Sequence, residues 1–357
     1  MADDDKPVVV ITGAAGRVGR VLARALADEY RVVGLDRGDK KAEVPLIPVD
    51  LTADASVDQA LRQLRDDHGA HLASVIHLAA FFDFTGEDNP LYRTLNVDGT
   101  RRLLDRLQRF RVDQFVYSSS MLVERAGRAG EAIDEERPLE PRWAYPRSKA
   151  EAEEVVRARH GTIPYAILRL AGLYDDEVVV ATLAHQIARI RERDWESHAY
   201  AGNLDTRQSM IHHDDLARSV TLVVGKRAAL PPETTLLLGE PEPPTYRELQ
   251  DAIGEALNGE HWPTLRVPAP LAAAGAWVQD KVLPHLPTAL GGTDKPFVRP
   301  FMMASASDNY QLDITRARDL LGWEPRRRLQ ATLPTILHQL KLDPESWYRR
   351  NKVEWRG

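Results

Sequence analysis

Twelve residues near the start limit what this chain can fold into. Val8-Val9-Val10-Ile11-Thr12-Gly13-Ala14-Ala15-Gly16-Arg17-Val18-Gly19 is a β-branched apolar run that ends in three spaced glycines. From Val18 onward, Val21, Leu22, Ala25 and Leu26 recur at three- and four-residue spacing, the period of a helix. The order is strand, tight turn, helix. A helix that begins at such a turn aims unpaired backbone N–H groups at whatever lies above it. An anion such as a dinucleotide diphosphate suits that position. Gly13 serves the turn, Gly16 lets the diphosphate approach the backbone, and Gly19 lets the helix close on the sheet. Ala15, Arg17 and Val18 complete the cradle.

Glycines also mark ordinary turns, so the next strand matters. Arg31-Val32-Val33-Gly34-Leu35-Asp36 ends in a carboxylate, about 20 residues after the glycines, where a ribose-binding acid is expected. Asp36 accepts hydrogen bonds from a ribose 2′-OH and repels a 2′-phosphate, which favours NAD over NADP. Arg37 beside it is suited to hold such a phosphate and moderates the preference.

A chain of 357 residues suits a large nucleotide-binding domain plus a smaller one. Its formal charge of −6 comes from interspersed acids and bases, which gives no footprint for nucleic acid. The short runs Arg101-Arg102, Arg326-Arg327-Arg328 and Arg349-Arg350 read as solvated helix faces. There is no cysteine, so disulfides, thiolate catalysis and thiolate metal sites are excluded. Met1-Ala2-Asp3-Asp4-Asp5 is acidic, unlike a signal peptide. No apolar run approaches the ~20 residues of a membrane span. The expectation is a cytoplasmic protein with a small-molecule substrate.

Strand-like and helix-like runs alternate through the first half. Strands are expected at Leu46 to Val49, Ser74 to Ala80, Phe115 to Tyr117, Tyr165 to Leu170 and Thr234 to Leu238, with helices near 54–66, 91–110, 146–160 and 214–224. Near-continuous apolar strands separated by helices imply a parallel sheet covered on both faces. Right-handed crossovers make it doubly wound, a Rossmann-type α/β fold, with ligands beyond the carboxyl ends of the strands. Asp36, Asp50, Ala79-Ala80 and Ser118 to Ser120 fall at those ends. Residues 240–310 are Pro-rich and lack the alternation, and 175–205 hold a helix with few strand signals. The division expected is 1–174 plus 206–239 for the dinucleotide domain, 175–205 plus 240–340 for a discontinuous substrate domain, and 341–357 as a tail.

The second motif is Tyr145-Pro146-Arg147-Ser148-Lys149. With Pro146 in the first turn of a helix, Tyr145 and Lys149 share one face. A tyrosine with its ordinary pKa of about 10 is a poor base at neutral pH. A nearby ammonium and a positive nicotinamide ring would favour phenolate, and a shift of roughly 3 units is about 4 kcal/mol. Tyr145 would then exchange a proton with a substrate hydroxyl as hydride moves to or from the nicotinamide, and Ser120 would hold the same oxygen. On its own a Tyr-x-x-x-Lys pair is an ordinary surface feature. Here it follows a serine cluster at a strand end and a dinucleotide turn.

Together these motifs resemble the extended short-chain dehydrogenase/reductases, the NAD-dependent epimerase/dehydratase family. The resemblance covers nearly the whole chain: Gly13, Gly16, Gly19 and Asp36, then Asp50-Leu51, then His77-Leu78-Ala79-Ala80. It continues through Asn96, the serines ending in Ser120, and Tyr145 with Lys149. Arg207 to Ala217 is similar to the family's Arg…His-x-Asp-Asp segment, and Leu321-Gly322-Trp323-Glu324-Pro325 to its C-terminal signature. The resemblance implies that Asp50 and Leu51 lie at adenine and that Leu78, Ala79, Ala80, Asn96 and Ser118 line the cofactor. It further implies that Lys149 contacts the nicotinamide ribose and that the helices near 91–110 and 146–160 form a homodimer.

Departures from the family pattern bear on substrate. Dehydratases of the family carry Asp and Glu where this chain has Met121 and Leu122. Many nucleotide-sugar epimerases carry Asn where it has Gly172. Tyr-Gly-Pro is replaced by Tyr174-Asp175-Asp176, whose carboxylates would repel a diphosphate, whereas Arg207 matches a diphosphate-binding arginine. The region 262–310 resembles the 3β-hydroxysteroid dehydrogenase and dihydroflavonol reductase branch. Phe81, Phe82, Phe84, Leu271, Trp277, Phe297, Phe301, Met302 and Met303 offer apolar surface that points to a hydrophobic hydroxy or keto compound, with Phe82, Ser120, Met121, Gly172 and Arg207 as candidate substrate contacts. The Phe81–Phe84 run lines a pocket or covers the sheet end, and Trp277 reads as core or lid packing. No metal is expected: in His212-His213-Asp214-Asp215, Asp214 is read as a helix cap. The leading function is an NAD-linked secondary alcohol or ketone oxidoreductase. A nucleotide-sugar epimerase and a non-catalytic dinucleotide sensor stay open behind it.

Overall fold

β1, Val8–Thr12, is buried at every position, as a central parallel strand covered on both faces must be. In the computed structural model, which describes residues 6–38, 42–83, 87–267 and 305–354, β1 is followed by α1 (Arg17–Leu26). Next come β2 (Arg31–Asp36), β3 (Leu46–Pro48), α2 (Asp54–His68) and β4 (Ser74–His77). A π-helical turn, Tyr92–Val97, runs into α3 (Asp98–Leu107), and β5 (Phe115–Ser120), α4 (Ala144–Arg159) and β6 (Tyr165–Leu170) follow.

A short pair then leaves the main sheet: β7 (Gly172–Tyr174) runs parallel to β8 (Met210–His212), with α5 (Ala181–Arg191) between them. α6 (His213–Gly225) returns the chain to β9 (Glu233–Leu238). The main sheet has the order β9-β6-β5-β4-β1-β2-β3, every pairing parallel. The chain reverses direction across the sheet between β1 and β4. That reversal opens a crevice at the carboxyl ends of these strands.

Alternation along the strands builds the layers. Val9 and Ile11 enter one core with Leu22 and Leu26 of α1 and Leu216 and Val220 of α6. Val8 and Val10 enter the other with Leu61 of α2, Leu103 of α3 and Val156 of α4. A third core joins Tyr174, Ile187, Leu249, Trp262, Leu333 and Trp347 beyond the sheet.

Four expectations are corrected here. The Pro-rich stretch after residue 240 contains α7, Tyr246–Asn258, started by a complete capping box between Thr245 and Glu248. The signal was present in Thr245-x-x-Glu248 followed by Leu249 and Ile253. The cap of α6 is His212 rather than Asp214, because the chain is still extended at His212 (φ −71°, ψ 145°) and its ring accepts from the Asp214 N–H. α8, Thr315–Leu321, and Trp323 pack in the β1–α1 layer rather than with the smaller unit. The expected tail from 341 packs as core over its described residues: α9 (Leu329–Leu342) continues into α10 (Pro344–Asn351), and Trp347 and Tyr348 are buried in the third core. Phe84, Leu271, Trp277, Phe297, Phe301, Met302 and Met303 lie outside the described residues.

Candidate active site

The glycine turn has the shape a dinucleotide needs. Gly13 adopts φ +73°, where a side chain is strained, and its added Cβ would also press on Ala79 N at 3.0 Å. A Cβ on Gly19 would fall 2.3 Å from the Gly13 carbonyl, so α1 reaches the turn only with glycine there. Gly16 caps α1 with no side chain, and the first turn carries no acid. The N–H groups of that turn are therefore left for an anion. Asp36 stands at the end of β2, where its carboxylate accepts from Ala15 N (2.9 Å) and Arg37 N (2.7 Å). Asp50 accepts from the backbone and hydroxyl of Thr52, which hold it below the usual carboxylate range. A groove of about 310 Å³ runs beside it, lined by Arg37, Gly38, Pro48, Asp50, Ser56 and Gln59 among others. The chemistry of this set fits NAD: a carboxylate at the end of β2 suits a ribose hydroxyl, and a helix start without an acid suits a diphosphate.

A buried hydrogen-bond chain fixes the floor of the crevice. Ala79 N donates to Thr12 Oγ1, which donates to His77 Nδ1 at 2.7 Å. His77 Nε2 donates to Thr100 Oγ1 at 2.9 Å, and Thr100 donates to the Asn96 carbonyl. This order follows because each hydroxyl has one proton to give. It needs a neutral imidazole, and burial followed by the charge of Lys149 pushes His77 down to about 3. Asn96 accepts from Phe81 N and donates to Phe81 O and Ser148 Oγ. Its amide is thus occupied by protein groups.

Tyr145 and Lys149 lie on the first turns of α4, against the end of β5. Lys149 Nζ donates to the Ser118 carbonyl at 2.7 Å and lies 4.9 Å from the Tyr117 ring centroid and 6.0 Å from that of Tyr145. Burial lowers the lysine to about 7, against the opposing pull of Glu153. Burial among rings raises the Tyr145 phenol above its ordinary value, and Tyr92 adds to the rise. In the protein by itself both contributions favour the protonated phenol, whereas the phenolate expected from the sequence draws also on the charge of a bound nicotinamide. Ser120 is buried, and its Oγ accepts from Leu122 N at 3.3 Å. Among the described residues no acceptor takes its proton.

Rings surround Tyr145. Phe82 meets it edge-on at 4.7 Å, Trp143 lies at 5.6 Å and Tyr92 at 6.5 Å. Phe82 is 54% exposed. Trp143, the N-cap of α4, went unnoticed in the sequence, because only its packing distinguishes it from any tryptophan.

A buried ionic cluster behind the serines was also missed. Arg169 donates to Glu153 through Nε and Nη2 (3.1 and 2.9 Å) and to Glu124 through Nη1 (2.7 Å). Ser119 donates to Glu153 at 2.6 Å. Burial pushes Glu153 up, but Arg169 and Ser119 outweigh it and leave the carboxyl below its ordinary value. Glu153 follows Lys149 by one helical turn, so the cluster braces α4 against β5 and β6.

The remaining candidates lie apart. Met121 is packed in the main core. Gly172 faces Val180 and Met210 at the root of the smaller unit. Arg207 donates to the Pro243 carbonyl and lies 3.6 Å from Glu248. Asp175 and Asp176 are paired rather than bare, with His213 and Arg17 and with Arg327 respectively.

Known proteins are similar to this chain in sequence and in fold. The family described as "NAD dependent epimerase/dehydratase family" matches residues 9–239. A 3 beta-hydroxysteroid dehydrogenase/Delta 5→4-isomerase of Mycobacterium tuberculosis is 28% identical over 346 residues, 92% of this chain and 89% of that protein. A short-chain dehydrogenase/reductase superfamily protein from Agrobacterium tumefaciens, solved with bound NAD, superposes with a TM-score of 0.68. It is 24% identical, and the match covers 96% of this chain and 100% of that one. UDP-glucose 4-epimerase of Thermus thermophilus in complex with NAD gives a TM-score of 0.66 at 21% identity, covering 94% and 99%. The chain therefore belongs to the NAD-dependent epimerase/dehydratase family, the extended short-chain dehydrogenase/reductases, and is an NAD-linked enzyme of that family.

Proposed function

We propose that this enzyme interconverts a secondary alcohol and a ketone on a largely apolar substrate, with Ser120, Tyr145 and Lys149 as its catalytic residues. Bound NAD supplies the acceptor or donor of hydride. In the reducing direction Tyr145, kept protonated by its ring environment, hands its phenolic proton to the substrate oxygen. Ser120 donates a hydrogen bond to the same oxygen. Lys149, anchored on the Ser118 carbonyl, holds the nicotinamide ribose and supplies the charge that makes loss of the Tyr145 proton tolerable.

The observation that carries the substrate class is the ring wall of Phe82 and Trp143 beside Tyr145. A site with apolar walls and few polar groups selects an apolar ligand. Arg207 supports the same reading, since its guanidinium already serves Pro243 and Glu248. The Mycobacterium relative, whose name is that of a hydroxysteroid dehydrogenase, agrees with it. The test incubates the protein and NAD with a panel of secondary alcohols, sterols and UDP-sugars and follows NADH by absorbance. NADH build-up with an alcohol or sterol is expected. Interconversion of a UDP-sugar without free NADH would overturn the reading.

The smaller unit, built on the third core, is proposed to close over the cofactor edge of the crevice. A homodimer through α3 and α4, which lie side by side, and a cytoplasmic location complete the proposal. The location rests on the cysteine-free composition. Among the described residues no helix is long and apolar enough to cross a membrane.

A further inference from the structure

One carboxylate from a distant part of the chain faces Arg17, the arginine that follows the glycine turn. β7 and β8 run in parallel with Tyr174 beside His212, so the next residues, Asp175 and His213, emerge together. Asp175 Oδ2 lies 3.2 Å from His213 Nδ1 and 3.9 Å from Arg17 Nη1. Its other oxygen accepts from Glu177 N and Val178 N at 2.9 and 2.7 Å. Those two bonds fix the carboxylate and leave Oδ2 aimed at His213 and Arg17. Arg17 is the first residue of α1, and the first turn of that helix has no acid of its own. Asp175 is the acid that faces the arginine of this turn. Burial pushes the Asp175 carboxyl up, but His213 and the two N–H groups outweigh it and hold it well below the usual range. It is charged whenever the cofactor arrives.

We propose that Asp175 competes with the cofactor diphosphate for Arg17, so that Arg17 exchanges between the two and dinucleotide affinity is held down. His213 and the backbone of 177–178 keep the Asp175 carboxylate in place after Arg17 leaves it. The arginine separation of 3.9 Å is longer than a hydrogen bond, which suits a partner that is released. An enzyme that gives up its reduced or oxidised dinucleotide every turnover benefits from such a brake, whereas one that regenerates it in place does not. The inference rests on the assignment of the glycine turn to NAD.

Fluorescence titration with NADH, ADP and adenosine tests it. Exposed to partly exposed charge pairs have modest effects, so Asp175→Asn is expected to tighten NADH and ADP by about fivefold and to leave adenosine unchanged. Arg17→Ala weakens NADH and ADP. In the double variant the gain from Asp175→Asn disappears, because the arginine it would free is gone. No tightening of NADH by Asp175→Asn, or the same gain in the Arg17→Ala background, would overturn the proposal. An equal shift for adenosine would also overturn it, since adenosine carries no phosphate. Absence of NADH binding by the unaltered protein is a different result, and it would sink the cofactor assignment itself.

Discussion

In the proposed mechanism Tyr145 carries the proton, and burial among its neighbouring rings favours the protonated form. Tyr145→Phe keeps the ring packed against Phe82 and Trp143 but removes the proton. Turnover on the true substrate should fall by roughly 10²–10⁴-fold, while NADH affinity by fluorescence titration changes little. Unchanged turnover would remove Tyr145 from the mechanism. Lys149 yields a prediction about stability. Burial lowers it from 10.5 to about 7 in the folded protein. Between those values the unfolded chain binds the extra proton, so stability rises with pH across that window, and the cost of the buried charge is full below about 7. Lys149→Met removes the cost. Without added cofactor, urea unfolding should show a larger gain from this substitution at pH 6 than at pH 9. Equal gains at the two pH values would mean that the lysine is not desolvated.

At the scale of elements, the C-terminal helix α10 is a structural part of the smaller unit. Trp347 is fully buried, and Asn351 donates to the Glu177 carbonyl and accepts from Val179 N. These bonds tie α10 to the turn that carries Asp175. Burying a tryptophan side chain and then deleting it leaves a cavity that the neighbours fill only partly. Trp347→Ala should cost about 3–5 kcal/mol in chemical denaturation. A loss under about 1 kcal/mol would show that α10 contributes no core. Asp215 does comparable work at the start of α6: its carboxylate accepts from the backbone of Arg326 and Arg327, and its carbonyl accepts from Trp323 Nε1. The family-like His-x-Asp-Asp and Gly-Trp-x-Pro segments are thus two halves of one contact.

For the whole molecule, the sheet order places the glycine turn, Asp36, Lys149 and the aromatic wall around one crevice. α3 and α4 cover one face of that sheet, and Tyr145 and Lys149 ride on α4. A dimer through these helices would stiffen the catalytic turn from outside. Light scattering at micromolar concentration should read a mass near twice the 40.0 kDa of the chain, and a monomer mass would overturn the interface.

The sequence by itself determined the doubly wound sheet, the glycine turn, Asp36 and the Tyr145–Lys149 pair. Each of these is local: periodicity sets strand and helix, and short fixed spacings set turn and face. It also held the capping box of α7, which was hidden only by the prolines around it. Tertiary structure decided what depends on distance across the chain. Whether Asp175 repels a diphosphate alone or in the company of Arg17 and His213 is settled by the pairing of β7 with β8. Whether Arg207 is free for a substrate depends on where the Pro243 carbonyl falls. Desolvation favours the proton on Tyr145, and no spacing encodes it, because burial is a property of everything that packs around a residue rather than of its neighbours in sequence.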